Sequence, residues 1–366
     1  MIDFIYILIM LSVGGLLSAS FAPNALACRE LIIVFFISVL VKALFLFLWT
    51  FYKVGFFDPN YLQFPDEHKY LEFQGGLVFN IYYYIVFWLQ GVGFGIFTLK
   101  FLNIVVASLS AARVYSIVFD YRLGQGWVSV SIIFLYVVSP MVAYFSSFVL
   151  REAFMFFLLS EIFVRLMRPH QKGFHFYVPV LIGFLSLFRT EFLLLFIIYF
   201  WRLPLSLRFF SYMSFGVIFG VFASDLIDIY SAYVRMGFYY NVAGGESSGT
   251  SILYSGFVLS ASTLASVFAA NFSSAFLSSP TSDVLIFIFH WSIYIPIILL
   301  ASDQKTRAFF PKYKDIWAPL LLMCFCGLIT FFNFRYFAVL AQFIVLALIA
   351  SGGDARNFTR SRGGAI

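Results

Sequence analysis

An all-α integral membrane protein with about ten transmembrane helices is the fold class this 366-residue chain predicts, and three observations carry it. Its mean hydropathy of +0.96 is far above that of a water-soluble domain. Apolar runs close to 20 residues recur from end to end, the length a helix needs to cross about 30 Å of hydrocarbon. Only 11% of residues are charged while 62% are hydrophobic, so no soluble domain interrupts the apolar runs. The chain therefore reads as one polytopic membrane domain, residues 1–366. Its single long polar stretch is the Gly- and Ser-rich region 227–282.

The apolar segments run approximately over 4–21, 31–52, 76–96, 99–118, 127–147, 153–167, 175–188, 190–201, 209–226, 283–301, 316–332 and 336–351. Segment 4–21 is too long for a secretory signal and lacks a basic flank and a small-residue cleavage site, so it reads as a retained span. Segment 76–96 reads differently. Gly76, Asn80, Gln90 and the glycines at 91, 93 and 95 weaken it as a span. Tyr82, Tyr83, Tyr84 and Trp88 suit the membrane–water interface, where amphipathic rings are favoured. An interfacial or re-entrant helix is expected there. Cys28, Cys324 and Cys326 are an odd number of thiols in or near apolar segments and read as core filler.

Sidedness follows from where Lys and Arg fall, because cytoplasmic loops carry the excess. With 76–96 not crossing, segments 22–30, 113–126, 165–174, 202–208, 302–315 and 352–366 share one face and hold 15 of the 23 basic residues. Lys42 lies inside a span. The net charge of +6 is thus a topology signal, and no nucleic-acid partner is implied. A bacterial inner membrane location is expected, with the acidic face toward the periplasm or exterior.

That opposite face collects the unusual charges. Asp66, Glu67 and His68 stand in the run Phe64-Pro65-Asp66-Glu67-His68-Lys69-Tyr70. Arg151 and Glu152 open the segment near 153, Arg189 and Glu191 lie between two half-length apolar segments, and Arg335 and Tyr336 lie near the last outer turn. Each ionisable group near a bilayer is costly unless solvated or paired, so such a set is a functional hypothesis by default. The chemistry suggested is group transfer from a lipid-linked phosphate. A carboxylate can take the proton of an acceptor hydroxyl as the new bond forms. Arginine forks match phosphate oxygens and stabilise charge on the leaving group. A divalent cation, Mg2+ or Mn2+, is a possible cofactor, with Asp66, His68 and Glu152 as its candidate ligands, although that set is incomplete. Glu161 and Arg165, four apart on one helix, read as a local ion pair.

In order along the chain these residues resemble the type-C glycosyltransferase (GT-C) superfamily. Its acidic motif in the first outer loop is matched by Asp66-Glu67 with Tyr70. A leucine–asparagine span ending in a basic turn is similar to Leu102-Asn103 through Arg113. The second acidic site after a proline and serines is matched by Pro140, Ser146-Ser147 and Arg151-Glu152. A basic residue between short helices corresponds to Arg189, and the late Arg-Tyr to Arg335-Tyr336. The resemblance covers 31–203 best, as a catalytic module, with 227–282 as an outer flap and 283–366 as C-terminal spans. It implies an inverting transfer of a sugar or oligosaccharide from a polyprenyl phosphate or diphosphate to a glycan or glycolipid acceptor. Asp66 or Glu67 would be the base, and Arg335 or Arg189 would meet the donor phosphate. An extra first span, and Glu152 where many members have Asp, depart from the pattern. The size and composition also resemble membrane proteins of bacterial surface-polysaccharide clusters, including O-antigen polymerases that join lipid-linked repeat units. A lipid-linked oligosaccharide flippase is the competing reading from another class. A non-catalytic scaffold is the third, and it would not need carboxylates and arginines gathered on one face.

Overall fold

The computed structural model describes residues 2–63, 65–73, 80–120, 132–167 and 174–188, together with Phe192 and Met213. All its elements are helical, with no strand among the described residues. Helix α1 is Ile2–Ser20, α2 is Ala25–Val54, α3 is Pro65–Leu71, α4 is Ile81–Gly91 and α5 is Ile96–Asp120. A π-helical segment Ile133–Val138 precedes α6, Pro140–Ser146. Helix α7 is Glu152–Met167 and α8 is Phe174–Ser186. Among the described residues α1, α2 and α5 are long and apolar enough to cross a membrane. The remaining expected spans lie outside the described residues.

Local chemistry sets the boundaries of α2. Asn24 caps its start, the side-chain carbonyl accepting from Ala27 N at 2.9 Å, which satisfies one of the orphan donors of the first turn. Gly55 ends it at φ 85°, a left-handed position where a Cβ would be strained. The 30 residues between them span about 45 Å at 1.5 Å per residue, more than the hydrocarbon core requires.

Outward faces identify the solvent. Phe4, Leu8 and Leu16 on α1, and Leu26, Leu40, Leu44 and Leu48 on α2, are all exposed. A contiguous apolar surface of this size on a soluble monomer would drive association, whereas lipid accommodates it. Helix α5 is the opposite case. It packs against α1, α2 and α7 and buries almost its whole circumference, including Ile104, Ala107, Ala111 and Val114. Its small residues Ala107, Ser108, Ser110, Ala111 and Ala112 allow close approach, as membrane helix interfaces favour. Gly14 does the same between α1 and α2, where an added Cβ would stand 2.5 Å from the Phe35 ring.

Contacts at the helix ends establish the direction of each element. Thr98 at the start of α5 hydrogen-bonds Asp3 at the start of α1, and Lys100 donates to Pro59 O, just past the end of α2. The chain from 55 to 95 therefore leaves and returns to the same end of the bundle. Helix α4 has 11 residues, about 16 Å, too short to cross, and it exposes Tyr84, Phe87 and Trp88. The expected non-crossing helix is present, but it occupies only 81–91 of the apolar run.

Three sequence expectations are corrected. Segment 127–147 does not form one continuous span, because among its described residues the helix is π-helical over Ile133–Val138 and restarts after Ser139. Pro140 has no N–H, so the Tyr136 carbonyl four residues back loses its helical donor. Lys42 Nζ fills that place at 2.9 Å and also donates to Ser38 Oγ. Segment 31–52 begins earlier, at Ala25, because the Asn24 cap and not the first large apolar residue starts the helix. Arg113, counted above among loop cations, is a buried residue of α5.

Candidate functional site

The acidic run folds as the short helix α3, and its two carboxylates have different surroundings. Asp66 keeps a side chain 33% exposed and lies 3.7 Å from Lys69 Nζ, one turn on. Glu67 is fully buried. Its Oε2 accepts from Gln63 N at 2.7 Å and its Oε1 from Val149 N at 2.8 Å. Adjacent positions on a helix point about 100° apart, so one carboxylate faces the bundle and its neighbour does not. His68 is exposed and Tyr70 is buried, its ring 4.8 Å from that of Tyr82.

The bond from Glu67 to Val149 spans 82 residues and lands in the turn between α6 and α7. That turn carries Arg151 and Glu152. It is tied from several sides. Asn103 of α5 donates through Nδ2 to Phe148 O and to Leu150 O, the latter at 2.9 Å. Tyr82 of α4 donates its hydroxyl to Asn103 Oδ1 at 3.3 Å. Arg151 Nη1 donates to Phe188 O at 2.8 Å, just beyond α8. Ile81 N donates to Leu187 O at 3.0 Å, which brings the start of α4 to the same place. Backbone carbonyls of an irregular turn inside an apolar bundle must find donors, and these side chains supply them.

Five of the proposed site residues, Asp66, Glu67, Tyr70, Arg151 and Glu152, thus gather at one end of the bundle. Electrostatics report the same neighbourhood. Burial raises the Tyr83 phenol above its ordinary range, with the Asp66 carboxylate adding to the rise and Arg151 opposing it. Burial raises Tyr82 further still, against its hydrogen bond to Asn103, and Tyr70, Glu152 and Glu67 add to the rise. In the preceding loop the Tyr61 phenol is raised by burial and then by Glu67. The phenols of α4 thus lie within the electrostatic reach of charges on both α3 and the Arg151–Glu152 turn.

Among the described residues no group of three His, Cys, Asp or Glu side chains comes together to hold a metal ion. Asp66, His68 and Glu152 are therefore not a ligand set in this arrangement. Arg189, Glu191, Arg335 and Tyr336 lie outside the described residues, as do the 227–282 flap and the spans of 283–366. Sequence reasoning quoted Asn103 only as part of a motif and gave Tyr82 and Tyr83 no role at the site. An amide in the middle of an otherwise apolar span was the available signal, since such groups are retained where they hydrogen-bond across helices.

At the opposite end a second charged cluster forms. Arg113 Nε lies 2.7 Å from Glu161 Oε1, and Arg165 Nε lies 3.4 Å from Glu161 Oε2. The expected Glu161–Arg165 pair is present, but Arg113, 48 residues away, joins it. Phe21 at the α1–α2 turn and Tyr177 of α8 cover the two guanidinium groups. Phe21, Arg113 and Arg165, at or beside the starts of three segments expected on the basic face, thus approach one another at this end.

No protein-family model matches the chain, and neither a curated protein nor a solved structure matches it.

Proposed function

We propose that this chain is a membrane glycosyltransferase that moves a sugar or oligosaccharide from a polyprenyl phosphate or diphosphate to a glycan or glycolipid acceptor. The single observation behind the reading is the Glu67–Val149 bond, which joins the acidic helix α3 to the Arg151–Glu152 turn. In this scheme Asp66, the more exposed carboxylate, is the base. It takes the proton of the acceptor hydroxyl while that oxygen forms a bond to the anomeric carbon. The bond from that carbon to the phosphate oxygen breaks, and its electron pair leaves with the phosphate. Arg151, with Arg189 and Arg335, stabilises the departing charge. Glu67 orients α3 and the turn and does not meet the substrate.

The test is transfer of labelled sugar from a polyprenyl phosphate donor in proteoliposomes, comparing Asp66→Asn, Glu67→Gln and Glu152→Gln. Asp66→Asn is expected to abolish product while leaving insertion, folding and donor binding intact. Undiminished transfer by Asp66→Asn removes the reading.

One observation favours a transporter as the second reading. Lys42 is fully buried within a span and hydrogen-bonds to a discontinuous helix. Midplane charge beside a broken helix is a feature of transporters. Lys42→Met would then abolish movement of a fluorescent lipid-linked oligosaccharide across vesicles, a process that Asp66→Asn would leave unchanged.

A further inference from the structure

We propose that the Arg113–Glu161–Arg165 cluster is a binding site for the anionic phosphate headgroup of a membrane lipid, in the leaflet at that end of the bundle. The proposal does not depend on the glycosyltransferase reading. Its first basis is charge balance: two guanidinium groups meet one carboxylate, so the triad keeps one unit of positive charge. Positive charge beside the membrane surface attracts anionic lipid headgroups.

The second basis is geometry. Arg113 is buried: its Nη2 donates to Glu161 at 3.2 Å, its Nε lies 2.7 Å from the same carboxylate, and its face lies on the Phe21 ring at 4.9 Å. Arg165 is engaged only in part. It meets Glu161 through Nε at 3.4 Å, and Tyr177 covers its face at 4.9 Å. Its side chain is 27% exposed, against 8% for Arg113. Two N–H groups in one plane match two oxygens of a phosphate.

The third basis selects a lipid over a free anion. Phe176, Tyr177, Val180 and Phe184 form an exposed apolar strip along α8 that begins beside the Arg165 guanidinium. A molecule with an anionic phosphate and hydrocarbon chains matches both parts of this surface. Inorganic phosphate matches only one.

The experiment uses the full chain purified in a maltoside detergent without added lipid. Phosphatidylglycerol, phosphatidylcholine or inorganic phosphate is added at equal phosphate concentration. The readouts are the thermal unfolding midpoint and the lipid retained in native mass spectrometry. Phosphatidylglycerol is expected to raise the midpoint and remain bound, with a smaller shift from phosphatidylcholine and none from inorganic phosphate. Arg165→Gln should lose the phosphatidylglycerol shift and Arg165→Lys should keep part of it. If Arg165→Gln does not fold, Phe176→Ser leaves the triad intact and should weaken lipid retention. Equal shifts from the two lipids, or an unchanged shift in Arg165→Gln (or in Phe176→Ser where that variant replaces it), would overturn the proposal. A full shift from inorganic phosphate would overturn the lipid assignment in favour of a free-anion site.

Discussion

Glu67 and Glu161 are both buried carboxylates in one apolar bundle, and the partners that fix their positions differ in kind. Glu67 accepts from two backbone N–H groups belonging to the loop before α3 and the turn before α7. Glu161 meets the guanidinium groups of Arg113 and Arg165. Backbone amides hold a carboxylate in place by hydrogen bonds, whereas guanidinium groups also neutralise it and here exceed it. The first arrangement uses a side chain to organise main chain, which suits an end that must hold an irregular turn in register. The second locks two long helices, α5 and α7, through side chains alone. The two ends of the bundle therefore respond differently to substitution.

The largest effect is expected at the ion triad. Glu161→Gln leaves the buried Arg113 guanidinium, and the partly exposed Arg165 beside it, without their carboxylate, at a cost of about 3–5 kcal/mol in unfolding by denaturing detergent. At the other end, Glu67→Gln keeps one acceptor oxygen but turns an amide N–H2 toward Gln63 N or Val149 N. About 1–3 kcal/mol is expected in the same assay. If Glu67→Gln proves the costlier of the two, the contrast between the ends is wrong. Asn103→Leu sharpens the account of the turn: it removes the donors to Phe148 O and Leu150 O at about 1–2 kcal/mol. It should also reduce sugar transfer by more than that stability loss explains, because Arg151 and Glu152 are displaced.

The smallest effect is a pH dependence at the α3–α4 end. The phenols of Tyr61, Tyr82 and Tyr83 are all raised, in each case chiefly by burial. In the unfolded chain a tyrosine ionises near pH 10, roughly its model value. Above that pH the unfolded state binds fewer protons than the folded state, so stability falls as pH rises. The contribution is complete below the unfolded value and is lost on approach to the folded one. Tyr82→Phe should lessen this alkaline loss, measured as the unfolding midpoint from pH 8 to pH 11. An unchanged alkaline slope would show that Tyr82 carries none of it.

Much of the helical scaffold was legible in the sequence. The apolar run at 4–21 corresponds to α1 within two residues at its start and one at its end, and Gly55 stops α2 where a left-handed residue is needed. The glycines and tyrosines around 76–96 marked a segment that does not cross. The break after Val138 was also readable in principle, since Pro140 inside an apolar run removes a helical donor whatever the surroundings. Less of the candidate site was readable. Asp66 and Glu67 are neighbours of like charge, and only packing separates a half-exposed carboxylate from a buried one. Arg113 read as a loop cation because its partner Glu161 is 48 residues away on another helix.

Composition and periodicity by themselves predicted helices with an apolar exterior, as the described residues have, because backbone polar groups in lipid must be satisfied within each segment. They also determined which residues are too costly to be present by chance. Tertiary structure alone decided how those residues pair. Glu67 with Val149, Asn103 with Phe148 and Leu150, and Arg113 with Glu161 each join distant parts of the chain. Such bonds depend on which faces of the helices meet, and a local pattern carries no record of that.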